Sequence, residues 1–295
     1  MQRLLIIDGH AYAYRAFHAI RELRSPSGQP TNAVYGFIKM LAKMLATIGP
    51  THLIVVWDGG LCAERMAALP EYKAQRPEMP EDLRPQLDGI GEYLDAAGIA
   101  SYCGAGVEAD DYIACLASHA VATGMNVVIA SADKDFMQLV SERVGLLNPH
   151  DKTETVWTDE QVRGKTGLEP SQIVDWLSLR GDAVDNIAGV PGVGVKTATD
   201  LLQRFGSVDE LYSRLDEVKS VKLRESLRAS AEVVKRNRRL VKLRDDLECE
   251  FAPESMVAGK AADTVRLREL YQRWGFKGML AALEMSAPAG QKILI

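Results

Sequence analysis

Three short runs of the chain, 4–7, 53–57 and 127–130, are apolar at every position, and each is followed within three residues by an aspartate: Asp8, Asp58 and Asp133. A strand with one wet face alternates polar and apolar side chains, so runs apolar throughout suit parallel strands covered on both faces. Helical patterns fill the intervals, at 11–20, 33–47, 83–97 and 110–122. Strands alternating with helices predict an α/β fold with a mostly parallel central sheet flanked by helices. The carboxyl edge of such a sheet is where ligands bind.

A single aspartate at a strand end is usually a helix N-cap, but here the acids accumulate. Glu108-Ala109-Asp110-Asp111 opens one predicted helix and Asp133-Lys134-Asp135 another. The helix dipole favours acids in a first turn, yet it does not account for their number. If the strand order brings these ends together, carboxylates crowd one edge and repel unless cations neutralise them. Hard oxygen ligands suit Mg²⁺ or Mn²⁺, not zinc. Asp182 and Asp185, three residues apart, supply further ligands for a two-metal site, in which cations ~3.5–4 Å apart clamp the attacking and leaving oxygens of a phosphodiester.

Beyond residue 155 the strand signal fades and helices dominate, with starts at Thr158-Asp159-Glu160-Gln161 and Glu169-Pro170-Ser171. The reading is two regions: an α/β core over 1–157 with an irregular excursion at about 59–85, and a helical region over 158–295. Gly189-Val190-Pro191-Gly192-Val193-Gly194-Val195-Lys196 reads as the hairpin of a helix-hairpin-helix at about 181–205. Its exposed helix N-terminus would hold a phosphate through backbone N–H groups, helped by Lys196. The glycine spacing excludes a Walker A loop.

Net charge, −5, does not by itself suggest a polyanion binder, but its distribution does. Between Asp216 and Arg244 ten Lys or Arg face four acids, so this stretch carries +6 and the remainder −11. The excursion adds Tyr72-Lys73-Ala74-Gln75-Arg76-Pro77, where Tyr72 has the chemistry to stack on a base and Lys73 and Arg76 to engage a scissile phosphate. Arg15 is a further candidate for that role. Cys62, Cys103, Cys115 and Cys249 lie far apart and form no Cys-x-x-Cys pair, so neither a zinc knuckle nor a disulfide framework is indicated. No signal peptide or membrane-spanning segment is expected, and the default compartment is the cytoplasm.

At these residues the chain resembles the 5′ nuclease family, the bacterial and phage flap endonucleases and the 5′ to 3′ exonuclease domain of DNA polymerase I. The matching stretches are Ile6-Ile7-Asp8-Gly9, Val55-Val56-Trp57-Asp58, the Tyr72 to Pro77 segment, Val107-Glu108-Ala109-Asp110-Asp111, Asp133-Lys134-Asp135, Gly181-Asp182 with Asp185-Asn186, the hairpin, and Arg273-Trp274-Gly275-Phe276-Lys277. The resemblance implies a PIN-like or resolvase-like core with a helical arch. It implies two divalent ions, with Asp8, Asp58, Glu108, Asp110 and Asp111 serving one and Asp133, Asp135, Asp182 and Asp185 the other or its waters. It places Lys73, Arg76 and Arg15 on the scissile phosphate and Tyr72 on a base. Gly192, Gly194 and Lys196 would hold the duplex, with K⁺ on the hairpin carbonyls. The implied activity is a monomeric structure-specific DNase acting at 5′ flaps, nicks and 5′ overhangs, RNA primer ends included, in primer removal and repair. Departures are Gly59-Gly60-Leu61-Cys62-Ala63-Glu64, which lacks the usual lysines of the arch, Ala132 in place of a common Gly, and Arg180 in place of a common Met. The competing readings are a catalytically weak branched-DNA binder, a ribonuclease, and a haloacid-dehalogenase-type phosphatase. The last needs an acid where His10 stands.

Overall fold

The computed structural model describes residues 2–149 and 155–285. Its sheet is built from β1 (Arg3–Asp8), β2 (His52–Trp57), β3 (Ala100–Cys103), β4 (Asn126–Ala130), β5 (Val144–Leu147) and β6 (Val156–Trp157), in the spatial order β3-β2-β1-β4-β5-β6. The first five strands are parallel and β6 is antiparallel to β5. The three apolar runs are the three central strands. The two edges of the parallel part, β3 and β5, escape a periodicity reading because each is four residues long and carries Ser101 or Gly145.

Successive residues of β1 face opposite ways: Leu4 and Ile6 join one hydrophobic cluster, Leu5 and Ile7 the other. On the first face lies α5 (Ala109–Ala122); on the second lie α1 (Gly9–Ala19), α2 (Asn32–Ile48) and α4 (Arg84–Ala96). The excursion holds one short helix, α3 (Ala63–Ala68), followed by turns, and it is anchored by Leu69, Tyr72 and Leu83, all buried.

The helical region comprises α6 (Asp159–Thr166), α7 (Ile173–Arg180), α8 (Val195–Phe205), α9 (Val208–Ser213), α10 (Val221–Ala229) and α11 (Ala231–Val241). The Thr158 start is a capping box with Gln161, and Glu169 forms another with Gln172. Between α7 and α8 runs a two-stranded hairpin, β7 (Gly181–Asp182) and β8 (Ile187–Ala188). After α11 the chain returns to the sheet: Val257 bridges to His52, and α12 (Thr264–Trp274) and α13 (Lys277–Met285) place Leu267, Trp274, Phe276 and Leu283 in the same cluster as Leu5 and Ile7. Among the described residues no helix is long and apolar enough to cross a membrane.

Candidate active site

The sheet winds outward from β1 through β2 to β3, then crosses to the other side of β1 at β4, so the β1/β4 junction is its topological switch point. Asp8 ends β1, and Ser131 follows β4 and donates its hydroxyl to Asp8 Oδ2 at 2.8 Å. Asp8 also caps α1, accepting from Ala11 N at 3.1 Å, while Asp133 Oδ1 caps the 3₁₀ turn Lys134–Leu139 through Asp135 N at 2.9 Å. Asp58 Oδ1 holds the turn after β2 by accepting from Gly60 N at 2.9 Å. Capping and ligand-ready chemistry thus reside in the same carboxylates. A cleft of ≈730 Å³ is lined by six of the nine predicted ligands, Asp8, Asp58, Asp110, Asp133, Asp182 and Asp185.

Two triads stand at this edge. The ligand atoms of Glu108, Asp110 and Asp111 lie within 4.8 Å of one another, and so do those of Asp135, Asp182 and Asp185. Asp182 and Asp185 reach the second triad from the β7–β8 hairpin, Asp182 accepting from Val184 N at 3.1 Å. In the first triad Lys73 Nζ lies 2.7 Å from Glu108 Oε1 and 3.7 Å from Asp110 Oδ2, and the Arg65 guanidinium grips Asp111 bidentately at 2.7 and 2.8 Å while also contacting Glu108. In the second, Lys134 Nζ sits against Asp182 and 3.6 Å from Asp135, and Arg76 pairs with Asp185 at 2.8 Å.

Burial is the leading effect on Asp8, Asp133 and Asp135. It pushes Asp8 up to about 6, against the hydrogen bonds from Ala11 and Ser131. Asp133 is raised in the same way, and Asp135 is held well above the carboxylate range by burial and then by Asp133. Burial works against the charge of Lys73, yet Asp110, Asp185 and Glu108 together outweigh it and raise its pKa. A buried carboxyl with a raised pKa is short of positive charge. Asp135 Oδ1 is buried without a hydrogen-bond partner. Such an oxygen-rich cleft fits hard divalent cations, for which Asp8, Asp58, Asp110, Asp133, Asp182 and Asp185 line the space and Asp135 stands against Asp182 and Asp185.

Arg15, Tyr72 and Asp111, all predicted site residues, do not line the cleft. Arg15 borders a separate groove with Met40 and Lys43, one turn along α1 from Ala11, which does line the cleft. Tyr72 does not present its ring for stacking: it is 2 % exposed, part of the hydrophobic core, with its hydroxyl near Glu108 and Asp185. Asp111 is turned from the cleft, Oδ1 accepting from Arg65 and from Arg244 N at 2.9 Å. Three residues were missed as site residues. His10 lines the cleft and accepts from Asp58 N at 3.1 Å; burial lowers its pKa. Lys134 and Arg65 carry the counter-charge. Only Lys134, flanked by two aspartates, offered a local signal.

Gly192, Gly194 and Lys196 do not line this cleft. Gly181 has φ +76° and a Cβ there would meet Gly189 N at 2.3 Å, so the two strands of the hairpin can approach only as glycines. Gly192 takes φ +82°, Gly194 is the N-cap of α8, and Lys196 is exposed in its first turn. The Gly194 to Lys196 stretch therefore exposes a helix N-terminus on the same side of the chain as its own lysine.

Sequence comparison agrees with this architecture. Residues 3–167 match the 5′-3′ exonuclease N-terminal resolvase-like domain, and residues 168–264 match the 5′-3′ exonuclease C-terminal SAM fold. A 5′-3′ exonuclease of Aquifex aeolicus is 39% identical over 96% of this chain and 96% of its own length. DNA polymerase I of Bacillus caldotenax is 39% identical over 99% of this chain, which spans 34% of that longer protein. Among solved structures, the phage T5 5′-exonuclease with bound divalent zinc ions superposes with a TM-score of 0.69 at 26% identity, covering 82% of this chain and 90% of the other. The fold defines a nuclease class, and the carboxylate edge could hold metal ions. The chain belongs to the 5′-3′ exonuclease family.

Proposed function

We propose that the protein is a structure-specific 5′ nuclease, a flap endonuclease and 5′ to 3′ exonuclease that hydrolyses DNA phosphodiesters by a two-metal mechanism. The observation that carries this reading is the convergence of six carboxylates with Lys73, Arg76 and Lys134 in one cleft at the switch point of the sheet. Asp133, Asp135, Asp182 and Asp185 would hold one divalent ion or its waters, and Asp8, Asp58 and Asp110 the other, with Glu108 at its margin; Mg²⁺ or Mn²⁺ bound there would supply water activation and charge neutralisation at the phosphodiester.

Lys73 and Arg76 are the groups placed to contact the phosphate. In the free protein they are paired with Glu108 and Asp185, so productive binding exchanges these partners for phosphate oxygens. Arg15, in its separate groove, is the further candidate for a phosphate contact outside the cleft. The α8 N-terminus with Lys196, Gly192 and Gly194 holds the duplex backbone, with K⁺ on the hairpin carbonyls, and the basic α10–α11 stretch follows the phosphates. The products carry a 5′ phosphate, and the setting is cytoplasmic primer removal and excision repair by a monomer.

One observation favours a second reading, a weakly catalytic branched-DNA binder: Lys73 is only 5% exposed, and the 59–64 stretch carries no lysine. Cleavage of a labelled double-flap DNA with Mg²⁺, beside the Asp133→Ala variant and a chelator control, separates the two. Metal-dependent cutting near the junction, lost in the variant, supports the nuclease. Tight binding without turnover in Mg²⁺ or Mn²⁺ supports the binder.

A further inference from the structure

The cysteines that are scattered in sequence do not stay scattered. Cys115 and His119 are four residues apart on α5, which puts them on one face, and the irregular segment after α11 brings Cys249 against them. The ligand atoms of all three lie within 4.8 Å of one another. Cys115 Sγ lies 3.6 Å from His119 Nδ1. Cys115 is fully buried, Cys249 partly buried and His119 exposed, so the group opens to solvent on the imidazole side. Cys115 lies on α5 beyond the first turn that carries Asp110 and Asp111, and none of the three residues lines the carboxylate cleft.

We propose that Cys115, His119 and Cys249 form a second metal site, for one thiophilic cation such as Zn²⁺. Two thiolates and an imidazole with an open fourth position are a donor set that zinc accepts and that Mg²⁺ does not. Binding exchanges two S–H protons, released to solvent, for two metal–sulfur bonds and adds one metal–nitrogen bond; no electron moves. Without metal the thiols stay protonated: burial pushes Cys115 up to about 12. The site's consequence is mechanical. The segment bearing Cys249 already donates Arg244 N to Asp111 and accepts the Cys115 thiol at Leu247 O, at 3.3 Å. A metal there fastens the exit from the basic helices to the helix that carries Asp110.

The test is a Cd²⁺ titration of the reduced full chain, without oxygen and with excess Mg²⁺ to fill the carboxylate cleft, followed by thiolate-to-cadmium charge-transfer absorption in the ultraviolet. The expected result is saturation at one equivalent, with the band lost in Cys249→Ser and retained in Cys103→Ser. His119→Ala should weaken binding by at least about tenfold, the cost that even outer partners of a metal can carry. A thermal melt of each metal-free variant shows that it is folded, and Cd²⁺ should raise the melting temperature of wild type but not of Cys249→Ser. The proposal is overturned by absence of a band at one equivalent, by a band that survives Cys249→Ser, or by thiol counting that finds Cys115 and Cys249 joined as a disulfide in the protein as purified.

Discussion

The two carboxylate triads at the sheet edge are alike in composition and different in how their charge is met. Glu108, Asp110 and Asp111 face Lys73 and Arg65, whose side chains are 2% and 5% exposed. Asp135, Asp182 and Asp185 face Lys134 and Arg76, which are 28% and 43% exposed. A buried cation lets acids cluster in the free protein at tolerable cost, since removing it leaves a buried charge uncompensated. A half-exposed cation is screened by water and holds its partners loosely. The counter-charge of the first triad is therefore locked inside the fold, whereas that of the second stands partly open to solvent, where cations from solution can replace it.

The sharpest way to break this contrast is at Asp133, which adjoins the second triad and accepts from Asp135 N at 2.9 Å. Asp133→Ala should abolish cleavage, by at least the roughly 10²–10³-fold that loss of one electrostatic group costs, with flap binding largely kept. If a gel-based cleavage assay finds that rate within tenfold of wild type, the replaceable counter-charge on that side plays no part in cleavage. On the other side, Arg65→Ala should lower unfolding free energy by about 3–5 kcal/mol, because Asp111 and Glu108 lose a buried partner. Lys134→Ala should cost far less in the same urea titration and should strengthen divalent binding measured by calorimetry. Equal losses for the two cations would erase the distinction.

Asp8 sits beside both triads and gives a pH signature. Its carboxyl is held at about 6 in the folded chain against 3.8 when unfolded, so the fold binds that proton more tightly. The ionised form is thus penalised: the cost is absent below pH 3.8, grows as pH rises and is complete above 6. Asp8→Asn should stabilise the metal-free protein at pH 7, by at most about 3 kcal/mol, and the gain should fade on acidification through pH 6 toward 4. Thermal melts of the two proteins at paired pH values measure it, and Mg²⁺ should shrink the difference. The smallest effect is expected from Lys196→Ala, which touches neither triad. It should weaken DNA binding alike for all sequences and reduce the slope of affinity against salt by about one ion. Fluorescence anisotropy across a salt series tests this, and an unchanged slope would remove the lysine from the phosphate contacts.

The sequence alone determined the central strands, because an apolar run with no polar alternation has few other ways to be buried, and it determined the helix starts at Thr158 and Glu169, because capping is local chemistry. It also marked the strand-end acids, since Asp8, Asp58 and Asp133 are set by chain position relative to β1, β2 and β4. The direction of each side chain was not legible. Asp110 and Asp111 are adjacent in sequence, yet on a helix neighbours point about 100° apart, so one faces the cleft and the other Arg65. Tyr72 has a stacking residue's chemistry and a core residue's burial. Long-range convergence was equally invisible: the distance between Cys115 and Cys249, or between Arg65 and Asp111, depends on how the return from α11 packs on α5. Local pattern fixes which groups exist and on which element they ride; only packing, which is non-local, decides which of them meet.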